Sequence, residues 1–220
     1  MSPARRRTRS LGRRAGRFIV LEGLDGAGTT TQARLLAEAL RQEGRRVHVT
    51  AEPSSGPAGA LIRQILTRRV GGPDGTGFDP AALALLFAAD RLDHLGAEVV
   101  PRLAAGEDVV SDRFTLSSLA YQGLTTGDMA WVDRMNGRAK APDLTVYLRV
   151  SAAVAFRRRR AASTDREIFE VASFQRRVAE SYDRAIERLR RAGQRVVEVD
   201  GAAPVAAVTQ AIRAEVERIR

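Results

Sequence analysis

A glycine-rich segment, GLDGAGTT at Gly23–Thr30, lies between a short β-rich run and the start of an amphipathic helix. Its glycines let the backbone turn N–H groups inward, and a helix N-terminus adds a positive dipole, so phosphate oxygens can bind there. A hydroxyl two places after the last glycine of such a loop can ligate magnesium, and Thr30 holds that position. The segment therefore predicts a phosphate-binding loop with a magnesium ligand.

Position 29 departs from that motif. A lysine is expected there, with its ammonium against the β and γ phosphates, but the sequence has Thr29. Lys140 is the only lysine in the chain, and a bias toward arginine would have placed arginine at 29. Taken alone, the segment is equally consistent with a strand-to-helix turn that binds no nucleotide.

Two further pairs of residues are spaced so that they could bind a ligand. Asp112-Arg113 follows a buried-looking strand and should lie at the carboxyl end of the sheet, where ligands bind in open α/β folds. The alternative for this pair is a surface ion pair or a strand terminus. Phe87 and Arg91, four residues apart on a helix, could stack on a base and donate to its carbonyl. Alternatively, Phe87 is core and Arg91 pairs with an acid such as Glu98.

Five segments occur in the order and at the spacing of thymidylate kinases: Glu22–Gln32, Leu86–Arg91, Ser111–Phe114, Ser117–Gly123 and Pro142–Leu144. The chain resembles that family from about residue 17 to residue 220. The resemblance implies a three-layer α/β fold of the P-loop nucleoside monophosphate kinase type with a mobile lid. It also implies transfer of a phosphoryl group from ATP to dTMP, with Mg²⁺, giving ADP and dTDP.

The same resemblance assigns roles to individual residues. The expected ATP-binding residues are Gly23, Gly26, Ala27, Gly28, Thr29, Thr30 and Thr31. The expected dTMP-binding residues are Glu52, Phe87, Arg91, Arg113, Ser118, Tyr121 and Gln122. The expected catalytic residues are Asp25, Arg113, Arg158, Arg160 and Arg166, and the expected magnesium ligands are Thr30 and Asp112. Two roles have structural alternatives, because Asp25 could stabilise its own loop through an Asx turn and Tyr121 could be plain core packing.

An arginine cluster, Arg157–Arg160, followed by Arg166, occupies the position of the family's lid, at about residues 157–170. A helix cannot present four consecutive side chains to one face, so about two of them should reach a nucleotide. The alternative is a basic, solvated helix surface. Since residue 29 is not cationic, we expect Arg158, Arg160 or Arg166 to supply the charge that the transferred phosphoryl group requires.

Four other positions give less information about function. Ala51 stands where an arginine is common in bacterial members of the family, which weakens one contact with the acceptor phosphate. His48, Trp131 and Tyr182 have no chemical argument behind them and are interpreted as packing residues.

The elements that must hold these residues alternate along the chain. Strands are predicted at 17–22, 46–50, 108–111, 144–150 and 195–199, and helical patterns follow them. Helices are predicted at 58–69, from Asp79 or Pro80 onward, and from Pro101 to Gly106, with a loop at 71–77. This succession predicts a five-stranded parallel sheet with helices on both faces.

Composition limits the function classes. With 220 residues, 44% hydrophobic and 28% charged, the chain fits one domain with a real core. There is no cysteine and only two histidines, which excludes thiolate chemistry and a histidine-rich metal centre. No apolar run approaches the roughly 20 residues of a membrane span, so a cytoplasmic protein without a membrane partner is expected.

The formal charge of +10 is concentrated near the start of the chain. Six arginines precede residue 17: Arg5, Arg6, Arg7, Arg9, Arg13 and Arg14. Residues 1–16 are interpreted as a solvated, disordered tail, with a nucleic-acid, partner or targeting role as the alternative. The remaining chain, 17–220, is only mildly basic, so a nucleic-acid partner is not expected.

Three functions compete at this point. The first is a dTMP kinase, acting as a homodimer if it follows the family. The second is a nucleotide-binding protein of the same fold that lost turnover with the lysine. The third is a kinase for another deoxynucleotide. The complete acceptor set favours the first, because a protein freed from catalysis has no reason to keep it.

Overall fold

Five parallel strands form one sheet in the order β2-β3-β1-β4-β5. The strands are β1 (Phe18–Gly23), β2 (Val47–Ala51), β3 (Asp108–Asp112), β4 (Leu144–Arg149) and β5 (Val196–Asp200). Every predicted strand is confirmed, with each boundary within one residue of its expected position. The α/β class and the all-parallel sheet are likewise confirmed.

The structure, a computed structural model, describes residues 15–71, 77–159 and 165–219, without the side chains of 159 and 165–172. The predicted tail up to residue 14, most of the loop at 71–77 and Arg160 lie outside the described residues, as does the side chain of Arg166. Gly16, at the end of the predicted tail, is held against the domain, since its N–H donates to the carbonyl of Leu103 at 3.0 Å.

Nine α-helices lie in the described segments. They are α1 (Thr29–Gln42), α2 (Pro57–Leu66), α3 (Pro80–His94), α4 (Val100–Ala104), α5 (Thr115–Thr126), α6 (Met129–Met135), α7 (Ala152–Arg159), α8 (Asp165–Arg191) and α9 (Val205–Glu217). No helix within these segments combines the length and the apolar character needed to cross a bilayer.

The alternating side chains of β1 show why helices cover both faces of the sheet. Phe18 and Val20 pack into one apolar cluster with Val99 and Phe114. Ile19 and Leu21 belong to the larger cluster, which also contains residues of α1. Because successive strand residues point to opposite faces, an apolar run such as FIVL requires cover on both sides.

The helical region around Pro101 differs from its prediction. Asp79 caps α3 as expected, accepting a hydrogen bond from the N–H of Ala82 at 2.7 Å. However, no break separates α3 from the piece that contains Pro101, because a π-helical turn at Leu95–Val99 joins α3 to α4. The wider turn ends at Val99, two residues before Pro101, which has no N–H to donate.

Asp108, the first residue of β3, is a fully buried carboxylate at the end of the sheet opposite the phosphate-binding loop. It accepts a hydrogen bond from Arg17 Nη2 at 2.8 Å and another from Arg45 Nη2 at 2.6 Å. Burial alone would raise the pKa of Asp108, but the hydrogen bonds from Arg45 and Arg17 outweigh it and lower the pKa. These bonds tie the start of β1 to β3 and to the α1–β2 turn.

We expect Asp108→Asn to lower the free energy of unfolding by about 3 kcal/mol at pH 7, since it breaks a buried ion pair whose arginines are partly exposed. A carboxylate with a lowered pKa stabilises the fold above its unfolded pKa and loses that effect as pH falls through its folded pKa. The difference between wild type and variant should therefore shrink in acid. Urea unfolding at pH 7 and pH 3 measures it.

Asp133→Asn is the matched control, because Asp133 pairs with Arg188 at a half-exposed site. Surface pairs of this kind contribute about 0 to 1 kcal/mol. Equal losses for the two variants would contradict the role given to Asp108.

Candidate active site

The loop between β1 and α1 has the backbone shape of a phosphate-binding loop. Gly26 and Gly28 adopt left-handed φ angles of 93° and 98°. A Cβ atom on Gly26 would lie 2.3 Å from the carbonyl oxygen of Ala155 in α7, so glycine is required there for space as well as conformation. Gly28 then directs the chain into α1. The sequence prediction of a strand, glycine-rich loop and helix is therefore confirmed.

Thr29 is the first residue of α1, and it is buried. Arg158 of α7 reaches the loop instead, with Nη1 donating to the carbonyl of Gly201 at 2.8 Å and to that of Ala27 at 3.4 Å. Of the three lid arginines singled out from the sequence, Arg158 is the one whose side chain the structure describes. Its guanidinium lies beside the loop that lacks lysine.

A cavity of about 350 Å³, here called the α1–α9 cavity, adjoins this loop. It contains four of the seven residues expected to bind ATP, together with Arg158. Its lining residues are Gly26, Ala27, Gly28, Thr31, Gln32, Arg158, Gly201, Ala203, Val205 and Val208.

Thr30 and Asp112, the two predicted magnesium ligands, lie together. The Thr30 hydroxyl donates to Oδ2 of Asp112, because the carboxyl end of β3 lies beside the start of α1. Within the described chain, Oδ1 of Asp112 is buried and accepts no hydrogen bond. A hydroxyl and an unsatisfied carboxylate oxygen form the hard oxygen set that Mg²⁺ prefers, so these residues fit the ion.

Arg113 contacts both the phosphate-binding loop and α5. Its Nη2 donates to Asp25 Oδ1 at 2.7 Å, and its Nη1 donates to the carbonyl of Gly23 at 3.0 Å. The guanidinium carbon lies 5.6 Å from the ring centroid of Tyr121. The interpretation of Asp112-Arg113 as a surface ion pair is wrong, because Arg113 pairs with Asp25 of the phosphate-binding loop and Asp112 bonds with Thr30.

A second cavity, of about 220 Å³, lies between α3 and α5 and is called the α3–α5 cavity. All seven residues expected to bind dTMP line it, and so does Asp25. The full lining is Asp25, Glu52, Pro53, Leu66, Phe87, Arg91, Arg113, Phe114, Ser117, Ser118, Tyr121 and Gln122. Residues spread over almost 100 positions of sequence therefore converge on one concave site.

Arg91 is the most buried arginine at this cavity, at 1% exposure. Its Nε and Nη2 donate to Glu52 Oε2 at 2.9 and 2.6 Å, and its Nη2 also donates to Ser118 Oγ at 3.0 Å. The alternative pairing with Glu98 is wrong, because Glu98 pairs with His48. Glu52 holds the guanidinium of Arg91 rather than pointing at open space.

The turn that carries Glu52 is held by α3 as well. Ser54 donates to Asp90 through its N–H at 2.7 Å and through its hydroxyl at 2.6 Å. Glu52 also accepts from Nδ1 of His94 at 3.2 Å. Ala51, where the family often has arginine, lines a third cavity with Thr30, Arg34, Arg63 and Asp112.

Several polar residues of the site have no obvious signal in the sequence. Glu22 is buried in β1, and burial raises its pKa to about 7 although Arg113 and hydrogen bonds from Ser117 lower it. Asn136 accepts a hydrogen bond from Arg91, and Ser117 contacts both Glu22 and Arg113. Only Glu22 could have been found from the sequence, because a carboxylate at the end of the apolar run of β1 is costly to bury unless it is hydrogen-bonded.

The three residues interpreted as packing have different environments. Trp131 packs against the larger core cluster, as expected. His48 instead forms an ion pair with Glu98. Tyr182 is fully buried and packs against Tyr147, but its hydroxyl also accepts from Arg113 Nη1 at 3.2 Å. The packing interpretation of Tyr182 was therefore incomplete.

The arrangement can bring two anionic groups together. The phosphate-binding loop lies between the α1–α9 cavity and the α3–α5 cavity, because Gly26–Gly28 line the first and Asp25 lines the second. Arg158 stands on one side and Arg113 on the other. Such opposed cations and ordered carboxylates suit transfer of a phosphoryl group, which needs positioning and charge neutralisation more than covalent work.

Comparisons with known proteins agree with this geometry. The family model described as thymidylate kinase matches residues 21–212. A probable thymidylate kinase of Pyrococcus horikoshii is 41% identical over 156 residues, which are 71% of this chain and 76% of the relative. Thymidylate kinases of a Synechococcus species and of Dinoroseobacter shibae are 41% and 42% identical, over 69% and 70% of this chain and 74% of each relative. Because the family model matches most of the chain, including the residues that line both cavities, the chain belongs to the thymidylate kinase family.

Proposed function

We propose that the chain transfers the γ-phosphoryl group of ATP to dTMP, giving ADP and dTDP. Membership of the thymidylate kinase family supports this reaction. The observation that carries it is the α3–α5 cavity. Every residue expected to bind dTMP lines this cavity, and the cavity adjoins the phosphate-binding loop at Asp25. A coupled assay of ADP formation over a panel of nucleoside monophosphates tests the proposal.

The acceptor nucleotide binds in the α3–α5 cavity in this proposal. Phe87 stacks on the base, and Arg91, which Glu52 and Ser118 hold in place, donates to a base carbonyl. Burial raises the pKa of Tyr121 to about 12, so its hydroxyl stays protonated and its ring can crowd the sugar. Arg113 then binds the acceptor phosphate.

The transfer itself exchanges one P–O bond for another. An oxygen of the dTMP phosphate attacks the γ-phosphorus of ATP, the bond to the β–γ bridging oxygen breaks, and that oxygen leaves with ADP. The N–H groups of the loop bind the donor phosphates, while Arg113 and Arg158 balance charge from opposite sides. Thr30 and Asp112 would hold Mg²⁺, which neutralises phosphate charge when bound.

The competing interpretation, a nucleotide-binding protein without turnover, rests only on Thr29. It is not favoured, because the acceptor residues are complete and converge on one cavity. By resemblance to its family, we also propose that the chain is a cytoplasmic homodimer, which light scattering of the purified protein tests for oligomeric state.

We expect dTMP to be preferred over dUMP, because the base pocket loses apolar contact when the methyl group is absent. One methyl group in an apolar pocket corresponds to about 10- to 200-fold in kcat/KM. Initial rates with dTMP, dUMP and purine monophosphates measure the ratio. Equal efficiency with dUMP, or a preference for a purine, would contradict the assignment of the acceptor.

We expect at least one of Arg158→Ala, Arg160→Ala and Arg166→Ala to lower kcat by at least about a hundredfold with a smaller change in KM, since arginines that stabilise such transition states contribute about 10³ to 10⁵ in rate. Arg158→Ala is tested first, because the guanidinium of Arg158 lies beside the phosphate-binding loop. Arg157→Ala, from the same basic run, is the control. Thr29→Lys should change kcat only modestly, because the site is built around charge that arrives from α7 and the lid.

The opposite pattern would overturn this account of the missing lysine. If each lid arginine can be replaced without loss while Thr29→Lys turns an inert protein into a fast kinase, the lid does not compensate. The interpretation without turnover would then be correct.

We expect Asp112→Asn to raise the Mg²⁺ concentration that gives half-maximal rate, because it removes the charge from the carboxylate that faces Thr30. High Mg²⁺ should restore part of the activity. A magnesium titration of both proteins at saturating ATP and dTMP measures the change. An unchanged titration midpoint would remove Asp112 from the metal site.

A further inference from the structure

Glu22 is a carboxylate with 0% exposure at the carboxyl end of β1, directly before the phosphate-binding loop. Its Oε1 accepts the backbone N–H of Phe114 at 2.8 Å and that of Ser117 at 3.0 Å. Its Oε2 accepts the Ser117 hydroxyl and, at 3.4 Å, the Tyr182 hydroxyl. One buried side chain therefore meets four donors from α5, from the residue preceding it and from α8.

The two backbone donors belong to the beginning of α5. Residue 114 precedes this helix without a side-chain cap of its own. The first N–H groups of a helix lack partners within the helix, and negative charge there is favourable. Glu22 thus does from a neighbouring strand what a capping residue does locally.

The two hydroxyl donors are shared with Arg113. Arg113 Nη1 donates to Ser117 Oγ at 3.0 Å and to the Tyr182 hydroxyl at 3.2 Å. No direct hydrogen bond between Glu22 and Arg113 occurs among the described residues, so the connection passes through these hydroxyls. Arg113 also has a left-handed φ of 74°, which is strained for a residue with a side chain.

We propose that Glu22 is a positioning residue for Arg113, acting through Ser117, Tyr182 and the first turn of α5. The inference rests on the proposed function, in which Arg113 binds the acceptor phosphate. A strained backbone conformation persists only where its surroundings hold it. Here the residue before Arg113 lies in β3, and the residue after it donates to Glu22. Its guanidinium contacts the Ser117 hydroxyl, which donates to Glu22, and the Tyr182 hydroxyl, which lies between Glu22 and the carbonyl of Gly23.

The ionised form of Glu22 is the one that fits these contacts. A carboxylate accepts from the two N–H groups and from the Ser117 hydroxyl, and it shares the Tyr182 proton with the nearer carbonyl of Gly23 at 3.0 Å. A protonated carboxyl group must place a hydrogen among these donors. The charged and titratable groups that act on it are Arg113, which lies between β3 and α5, and Tyr182 of α8. Tyr121 of α5 and Asp25 of the loop act on Arg113 in turn. Because burial raises the pKa of Glu22 to about 7, its protonation state changes within the working range of pH.

Glu22→Gln is the informative variant. Its amide oxygen can still accept the two N–H groups, and the Ser117 and Tyr182 hydroxyls can rotate to accept from the amide nitrogen. The fold and the cap of α5 are then kept, while the negative charge is lost. We expect kcat/KM for dTMP to fall about tenfold or more at pH 8, as for loss of hydrogen bonds to a charged group. KM for ATP should change less than about twofold, because Arg113 lies on the acceptor side.

The pH profile separates positioning from a merely structural role. The ratio of wild-type to Glu22→Gln kcat/KM for dTMP should grow between pH 5.5 and 8.5, since only the wild type gains a charge near pH 7. Taking the ratio cancels the ionisation of dTMP itself, whose phosphate titrates at a pKa of about 6. Tyr182→Phe keeps the buried ring and deletes one hydroxyl that contacts Arg113. We expect this variant to raise the KM for dTMP as well.

Asp108→Asn is the matched control, because Asp108 is another fully buried carboxylate of the same sheet but lies at its far end. It should destabilise the fold and leave the ratio flat with pH. Wild-type turnover on dTMP is measured first, and its absence would overturn the proposed function rather than the role of Glu22. With turnover present, a folded Glu22→Gln enzyme whose ratio is flat with pH and whose KM for dTMP is unchanged would overturn the inference. If Glu22→Gln does not fold, an unchanged KM for dTMP in Tyr182→Phe would overturn it.

Discussion

The parallel pairing of β1 with β3 is the constraint on which the site depends. Their register places Leu21 opposite Asp112, so Glu22, the residue before the phosphate-binding loop, lies beside Arg113 at the same edge of the sheet. The backbone N–H of Arg113 continues that pairing by donating to the carbonyl of Leu21 at 2.8 Å. A phosphate-binding loop and an arginine that are 90 residues apart in sequence are thereby fixed next to each other by backbone hydrogen bonds alone, before any side chain contributes.

The arginines on the acceptor side of the site are each paired with a carboxylate. Arg91 pairs with Glu52, and Arg113 pairs with Asp25 while Glu22 lies one hydroxyl away. The Arg91–Glu52 pair is buried, whereas Arg113 and Asp25 are partly exposed. A buried ion pair contributes little net stability but is costly to break, so the first pair fixes geometry more than it stabilises the fold. Among the described residues, Arg158 donates to backbone carbonyls and to no acid. Within that part of the chain, its positive charge is less neutralised than that of Arg91 or Arg113.

Local patterns were sufficient to predict the frame of this structure. Apolar runs marked the central strands β1 and β4, because an inner strand of a parallel sheet is buried on both faces. The edge strands β2 and β5 are partly exposed and contain polar residues, and their β-branched residues marked them instead. Motif spacing brought Phe87, Arg113 and Tyr121 to one cavity. The partners that orient those residues could not be predicted, since contacts such as Tyr182 with Arg113 depend on how α8 packs against α5. The π-helical turn before Pro101 could not be predicted either, because it depends on α3 continuing into α4 and not on the composition of the segment.

The left-handed backbone of Arg113 also has an evolutionary meaning. At this position the backbone alone would favour glycine or asparagine, and holding another residue there costs on the order of 1 to 3 kcal/mol. Selection for the guanidinium opposes selection for an unstrained turn. If Arg113 binds the acceptor as proposed, replacement by glycine in a descendant freed from that role would relieve strain and remove the charge in one step. Residue 113 is thus a sensitive indicator of whether a homologous chain is still under selection for phosphoryl transfer.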